Sequence, residues 1–167
     1  MMIRRAAPIA LLALALAACG FQLRGTYGID DALQPVYLDA SGDFGNTLER
    51  TLRTGGIELT GSRDQAAATL RVQSTERERR VLAIREDGRV DEYEIVYRVD
   101  WRLEAVAETG ETVRLIDSTR YAGQRSYIFE PGSRLAADDE EEVLIELLYE
   151  DLSDRILRRI EAWSPED

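Results

Sequence analysis

Tyr93, Ile95, Tyr97, Val99, Trp101, Leu103 and Ala105 alternate with Glu94, Arg98, Asp100, Arg102 and Glu104. Alternation of period two over such a length predicts a strand with one buried and one polar face. Only Val96 breaks the polar side before Val106 is reached. In front of it, Asp87-Gly88 is a hairpin signal, because that pair readily takes the positive backbone angles of a tight turn. The partner strand runs from Ala68 to about Ile84, with Leu70 and Val72 on one face and a charged outer half, solvated or twisted, from Glu76 to Arg80. Thr109-Gly110 predicts a second turn, and Thr112 to about Arg125 a further strand. Nearer the start, Pro35 to Ala40 reads as a first strand and Ile57-Glu58-Leu59 as a short extended segment.

Two segments carry helical spacing instead. After Ser41-Gly42-Asp43, a plausible turn and cap, Phe44, Leu48 and Leu52 recur every four residues until Gly55-Gly56 ends the run. Beyond a loop at Pro131-Gly132, Ile145, Leu148, Leu152, Ile156, Ile160 and Trp163 mark a long amphipathic helix from Asp138 or Asp139 to Ala162. Its acidic start and basic end, with Arg155, Arg158 and Arg159, both suit the helix dipole. Strand, helix, a run of strands and a helix predict an α+β two-layer sandwich, two helices packed on one face of a mostly antiparallel four-stranded sheet. A first strand that returns through a helix would lie parallel to a neighbour and make the sheet mixed.

The first 18 residues are patterned for export rather than packing: Arg4 and Arg5, then an apolar run from Ile9 to Ala18. A spanning helix needs ~20 apolar residues. This run is shorter and ends at Leu16-Ala17-Ala18-Cys19, small residues before a cysteine, as a lipoprotein signal peptidase requires. Cleavage is expected between Ala18 and Cys19, with a diacylglycerol and an N-acyl chain carried by Cys19. One acyl chain holds a protein only marginally, whereas two or three anchor it lastingly. Cys19 is the single cysteine of the chain, and an exported protein rarely keeps an exposed lone thiol. Gly20 follows it, not the Asp that commonly retains lipoproteins in the inner membrane of enteric bacteria, so an outer-membrane location is expected. Residues 19–34 are read as a lipidated tether and 35–167 as a single domain.

Composition narrows the chemistry. Loss of residues 1–18, with Arg4 and Arg5, takes the net charge from −11 to −13, so nucleic acid is not an expected partner. There is no histidine and no second cysteine. That closes Ser-His-Asp and Cys-His catalysis and histidine-based metal sites. Lysine is absent as well, and with it the phosphate-binding G-x-x-x-x-G-K-[ST] loop. The arginine-only basic set could grip phosphates, but a GC-rich genome explains it more simply. Paired carboxylates remain as a route to an enzyme, yet the acids here alternate with arginines or open a helix, as solvated faces and caps do. Asp138 to Glu142 is read as such a helix start, not a cation site, and Tyr93, Tyr97 and Trp101 as core. No catalytic residue, metal or cofactor is expected.

Several of these segments together resemble a known family, the LPS-assembly lipoproteins called LptE. They are Cys19-Gly20-Phe21-Gln22-Leu23-Arg24-Gly25, then Val36 to Leu59, then Gly88 to Leu103 with Asp91-Glu92-Tyr93, and finally Leu135 to Ile160. The resemblance implies a non-catalytic lipoprotein that plugs and helps assemble the β-barrel lipopolysaccharide translocon LptD and assists lipopolysaccharide insertion into the outer leaflet. It also implies lipopolysaccharide binding by basic residues near one end of the sheet. Arg85, Arg89 and Arg134 are the candidates here, because guanidinium groups grip phosphate oxygens. Glu86 and Asp87 share that hairpin, and Ala136-Ala137 stand before the last helix. The alternatives are an accessory lipoprotein of another envelope lipid-transport or barrel-assembly complex, and a carboxylate enzyme acting on an envelope glycan.

Overall fold

The computed structural model describes residues 30–107, 111–129 and 134–163, with only the backbone given for 106 and 134–138. Strand β1 (Val36–Asp39) leads into helix α1 (Gly42–Thr54), then the short strand β2 (Leu59–Thr60). Three long strands follow, β3 (Ala68–Ile84), β4 (Val90–Val106) and β5 (Thr112–Ile128), and helix α2 (Arg134–Glu161) closes the chain. The sheet order is β2-β1-β3-β4-β5. β1 runs parallel to both β2 and β3, while β3, β4 and β5 are antiparallel. The sheet is therefore mixed, and it has five strands where four were expected. The fifth, β2, grows from the Ile57-Glu58-Leu59 segment and pairs through two residues only, too short to reveal itself by alternation.

The helices form where the apolar spacing puts them. Phe44, Leu48 and Leu52 are buried on one side of α1. Its end is set by Gly56, which sits at φ +84° where a side chain would be strained. Gly56 N–H then donates to Arg53 O at 3.1 Å and Ile57 N–H to Leu52 O at 3.0 Å, with Ile57 itself buried. That pairing satisfies carbonyls the helix end would otherwise orphan. α2 begins at Arg134, earlier than the expected Asp138 or Asp139, because Leu135-Ala136-Ala137 are good helix formers that extend it by a turn. The acidic run therefore lies beyond the helix start.

One layer of core lies between sheet and helices. Ile95, Val99, Trp101 and Leu103 of β4 are buried against Leu148, Leu152, Ile156 and Leu157 of α2, with Leu70 and Ile116 from the flanking strands. Each such side chain contributes on the order of 1.5–3 kcal/mol by leaving water. Tyr97 and Trp101 belong to this core as expected, and Tyr93 packs against it from a partly buried position. The segment expected as tether folds back at its end: Asp31–Leu33 forms a 3-10 turn, Leu33 is buried, and the Gln34 side chain accepts from Glu58 N–H at 2.9 Å.

The opposite face of the sheet is a ladder of charge. Arg98 lies 3.1 Å from Glu78 and 3.5 Å from Glu76, and Arg80 lies 2.7 Å from Glu94. Arg120 grips Asp100 with two bonds of 2.8 and 2.9 Å, and Ser74 donates to the same carboxylate. Glu76 to Arg80, expected as the charged, solvated or twisted outer half of the strand, remains regular strand, with Glu76, Glu78 and Arg80 paired to residues of β4. Val96 is buried on this polar side, between Glu78 and Gln124 of the adjacent strands.

Candidate functional site

β3 and β4 are joined by a hairpin, and the end of β5 lies at the same end of the sheet, with Ile128 beside Glu92. The turn is a three-residue loop, Glu86-Asp87-Gly88, closed by Arg85 N–H to Arg89 O at 2.8 Å and Gly88 N–H to Arg85 O at 2.9 Å. Of the pair read as a tight turn, Gly88 alone takes a positive φ, at +80°; Asp87 caps the turn by accepting from Arg89 N–H at 3.1 Å. Such a loop, one left-handed glycine after an ordinary turn, joins strands with their natural twist.

Two expected ligand-binding residues flank this loop. Arg85 donates to Asp91, and Arg89 lies 3.7 Å from Asp87. The hairpin thus pairs its guanidinium groups internally, and Glu86 and Glu92 add further negative charge beside them. Arg134 heads α2, which follows β5 after a short connection at this same end of the sheet. Its side chain lies outside the described residues. Cys19 and the Ala18-Cys19 junction do so too, as do the expected turns at Thr109-Gly110 and Pro131-Gly132.

Apolar residues at this end escaped the reading of the sequence. Val81, Leu82, Ile84 and Ile128 are 47%, 51%, 65% and 65% exposed, although the rest of the large apolar set on the long strands is mostly buried. Val81 faces Tyr93 across the ladder, Ile84 faces Val90, and Ile128 lies beside Glu92. The available signal was Val81-Leu82-Ala83-Ile84 itself, an apolar run just before a charged turn, where alternation should have resumed. The register shifts at Val81/Ala83 and Ala83/Ile84 explain how neighbouring apolar residues come to share the end of the sheet. Apolar surface bordered by arginines suits an amphiphile with an anionic head better than a small polar substrate.

Below the hairpin, a polar cluster ties α2 to the sheet. Tyr127 donates to Glu141 at 2.9 Å, Arg79 donates to the same oxygen at 3.0 Å, and the Arg79 guanidinium stacks 5.0 Å from the centre of the Tyr93 ring. Burial, reinforced by the carboxylate it bonds, raises the Tyr127 pKa. The bond to Glu141 raises that of Arg79. Glu141, one member of the acidic run, is thus committed to a structural bond. Among the described residues no group of acidic, histidine or cysteine side chains converges as metal ligands.

What the fold and this site define is a two-layer α+β domain, two helices on one face of a mixed five-stranded sheet. Solved lipoproteins share the architecture. Lipoprotein B of Nitrosomonas europaea, known in solution, matches with a TM-score of 0.70 and 30% identity, over 86% of this chain and 91% of that one. The rare lipoprotein B of Shewanella oneidensis, at 23% identity and a TM-score of 0.61 over 75% of this chain and 92% of its own, shares the fold. The family is more specific than the fold. The LptE model, described as lipopolysaccharide-assembly, matches residues 33–160, and the chain belongs to that family. It is similar to the LPS-assembly lipoprotein LptE of Pectobacterium atrosepticum, 27% identical over 156 residues, covering 91% of this chain and 82% of the relative. The corresponding lipoprotein of Photorhabdus laumondii is 22% identical over 155 residues, with 91% and 82% covered.

Proposed function

We propose that the chain is an outer-membrane lipoprotein of lipopolysaccharide assembly, cut before Cys19, anchored by the acyl chains on that residue, and acting without catalysis as the plug of the barrel translocon LptD. The observation that carries this reading is the family match over residues 33–160, which includes both helices and all five strands. Its physical support is the sheet face opposite the helices, where Arg80, Arg98 and Arg120 are neutralised by Glu94, Glu78 and Asp100. A face of paired charges suits the polar lumen of a large barrel, where lone charges or apolar surface would not. In this arrangement the hairpin end, with Arg85, Arg89 and Arg134 around Val81, Ile84 and Ile128, meets lipopolysaccharide, the arginines at phosphates and the apolar residues at acyl chains.

The test is recovery of the tagged, full-length protein from mild detergent together with depletion in the cell. The expected partner is the translocon barrel, and depletion should leave that barrel misfolded. Recovery of a different envelope complex without the barrel overturns the reading in favour of another accessory lipoprotein. Replacement of Cys19 by alanine should release the protein from the membrane fraction if the anchor is as proposed.

A further inference from the structure

On the helix-facing side of the sheet, where β4 carries only apolar and aromatic residues from Tyr93 to Leu103, β3 places Arg77 directly opposite Tyr97 and Arg79 opposite Ile95. β1 leaves β3 after pairing Asp39 with Arg71, so beyond that point this edge of β3 has no neighbouring strand among the described residues. The result is a cleft of about 330 Å³ between β3, the first turn of α1 and the middle of α2. Its charges divide into those already used and those left over. Glu141 is held by Arg79 and Tyr127, and Glu146 by Arg50 at 2.8 Å and Thr47 at 3.2 Å.

Arg77, Asp43 and Glu142 also line the cleft, and none of these three side chains makes an ion pair or hydrogen bond with another described residue. Arg79, the next arginine on this side of β3, has a carboxylate partner in Glu141, whereas the Arg77 side chain has none among the described residues. Opposite charges close enough to share one cleft yet not joined are what a ligand carrying both signs requires. A lone anion would meet Asp43 and Glu142, and a lone cation would meet Arg77. The volume stands at the lower limit for small-molecule sites, so it admits a headgroup-sized molecule and not a whole lipid.

We propose that this cleft binds a small zwitterion of the phosphoethanolamine kind, its phosphate gripped by Arg77 and its ammonium held by Asp43 and Glu142. The guanidinium offers parallel donors that fit two phosphate oxygens, and carboxylates accept from a primary ammonium with its three donors. The site stands whether or not the chain meets a translocon barrel. Free phosphoethanolamine and the headgroup of phosphatidylethanolamine present the same chemistry.

Calorimetric titration of the full chain, carrying Cys19→Ala so that no anchor contributes, separates the possibilities. Phosphoethanolamine is expected to bind about tenfold or more tightly than either inorganic phosphate or ethanolamine, with Arg77→Gln and Asp43→Asn each costing about tenfold. Both side chains are exposed and unbonded, so Arg77→Gln should leave the unfolding midpoint unchanged and Asp43→Asn, which takes a carboxylate from the first turn of α1, should lower it only slightly; that separates lost binding from lost fold. Sedimentation with vesicles of phosphatidylethanolamine in phosphatidylcholine, against phosphatidylcholine alone, identifies the source. Enrichment assigns a lipid headgroup, and binding of the soluble probe without enrichment assigns a free zwitterion. Equal affinity for the three soluble probes, no binding of phosphoethanolamine, or binding indifferent to Arg77→Gln and Asp43→Asn overturns the proposal.

Discussion

A methyl group placed on Gly123 of β5 would lie 2.8 Å from Cδ2 of Leu148 on α2, closer than side-chain carbons approach. Gly123 stands opposite Tyr97 on the helix-facing side, so the missing side chain is what lets α2 settle onto the sheet at this point. The prediction is that Gly123→Ala destabilises by about 1–3 kcal/mol through overpacking, read as a lower urea midpoint with an unchanged slope. Combining it with Leu148→Ala should cost less than the two single changes added together, because the shortened side chain vacates the contested space. An unaltered midpoint in Gly123→Ala would show that α2 is not packed down at this residue.

The two faces of α2 should respond very differently to truncation. Leu152 is fully buried, whereas Leu147, five residues earlier, is 44% exposed. Leu152→Ala is expected to cost about 2–5 kcal/mol, the range for a buried leucine that leaves a cavity. Leu147→Ala should stay within about 0.5 kcal/mol. Denaturant titration of both variants checks the orientation of the helix, and equal losses would contradict it.

The contrast between Leu147 and Leu152 was readable from spacing alone, and so were β4 and its hairpin with β3, because one buried face imposes a period that chance seldom sustains. What could not be read depended on groups far apart in the chain. β2 exists because Leu59 and Thr60 meet Val36 and Tyr37, not through any pattern of its own. The pairing of the charged half of β3 runs through Arg98 and Glu94, 20 and 14 residues from their partners Glu78 and Arg80. The start of α2 was misjudged because acidic residues were taken for its first turn, when Leu135-Ala136-Ala137 had already begun it. At the candidate site the arginines of the hairpin were visible, but not that Asp91 would claim Arg85, nor that the apolar Ile84 and Ile128 would be left exposed together.

Acid should weaken the polar face at Asp100. The paired donors of Arg120, and after them the Ser74 hydroxyl, hold its carboxyl below the usual carboxylate pKa. A depressed folded-state value means that the contribution is fully present above the unfolded pKa, about 4, and is lost as pH falls through the lower folded value. Asp100→Asn should therefore be less stable than the parent at neutral pH, and the gap should close below about pH 4. Arg120 is largely exposed, so the difference should be small and diminish with salt. A gap that persists undiminished well below pH 3 would assign the effect to shape rather than charge.

At the alkaline end the relevant group is Tyr97, whose hydroxyl is pushed up to about 12, chiefly by burial. The folded state keeps this proton more tightly than the unfolded chain, in which tyrosine titrates near about 10. That contribution to stability is complete below about pH 10 and disappears as pH rises toward 12. Tyr97→Phe should flatten the decline of the unfolding midpoint across this interval, and ultraviolet titration should lose a late-titrating tyrosine in the variant. Parallel midpoint curves for parent and variant would remove Tyr97 from the account.

The hairpin end offers the sharpest test of lipopolysaccharide contact, because its two kinds of surface can be altered separately. Reversing Arg85, Arg89 and Arg134 to glutamate should weaken lipopolysaccharide binding at least tenfold, since lost charge-assisted bonds to phosphate are compounded by repulsion. Association with the barrel should persist, because the paired face around Arg98 and Arg120 is untouched. The internal pairing adds a second expectation. Asp91→Asn removes a negative charge beside Arg85, so it should tighten binding of an anionic ligand. Ile84→Ser with Ile128→Ser tests the apolar half of the same surface, and should weaken binding with little loss of stability, as both residues are 65% exposed. A direct binding assay that leaves the arginine reversal unchanged removes those residues from the account. If the serine pair alone weakens binding, the contact is with acyl chains rather than phosphates.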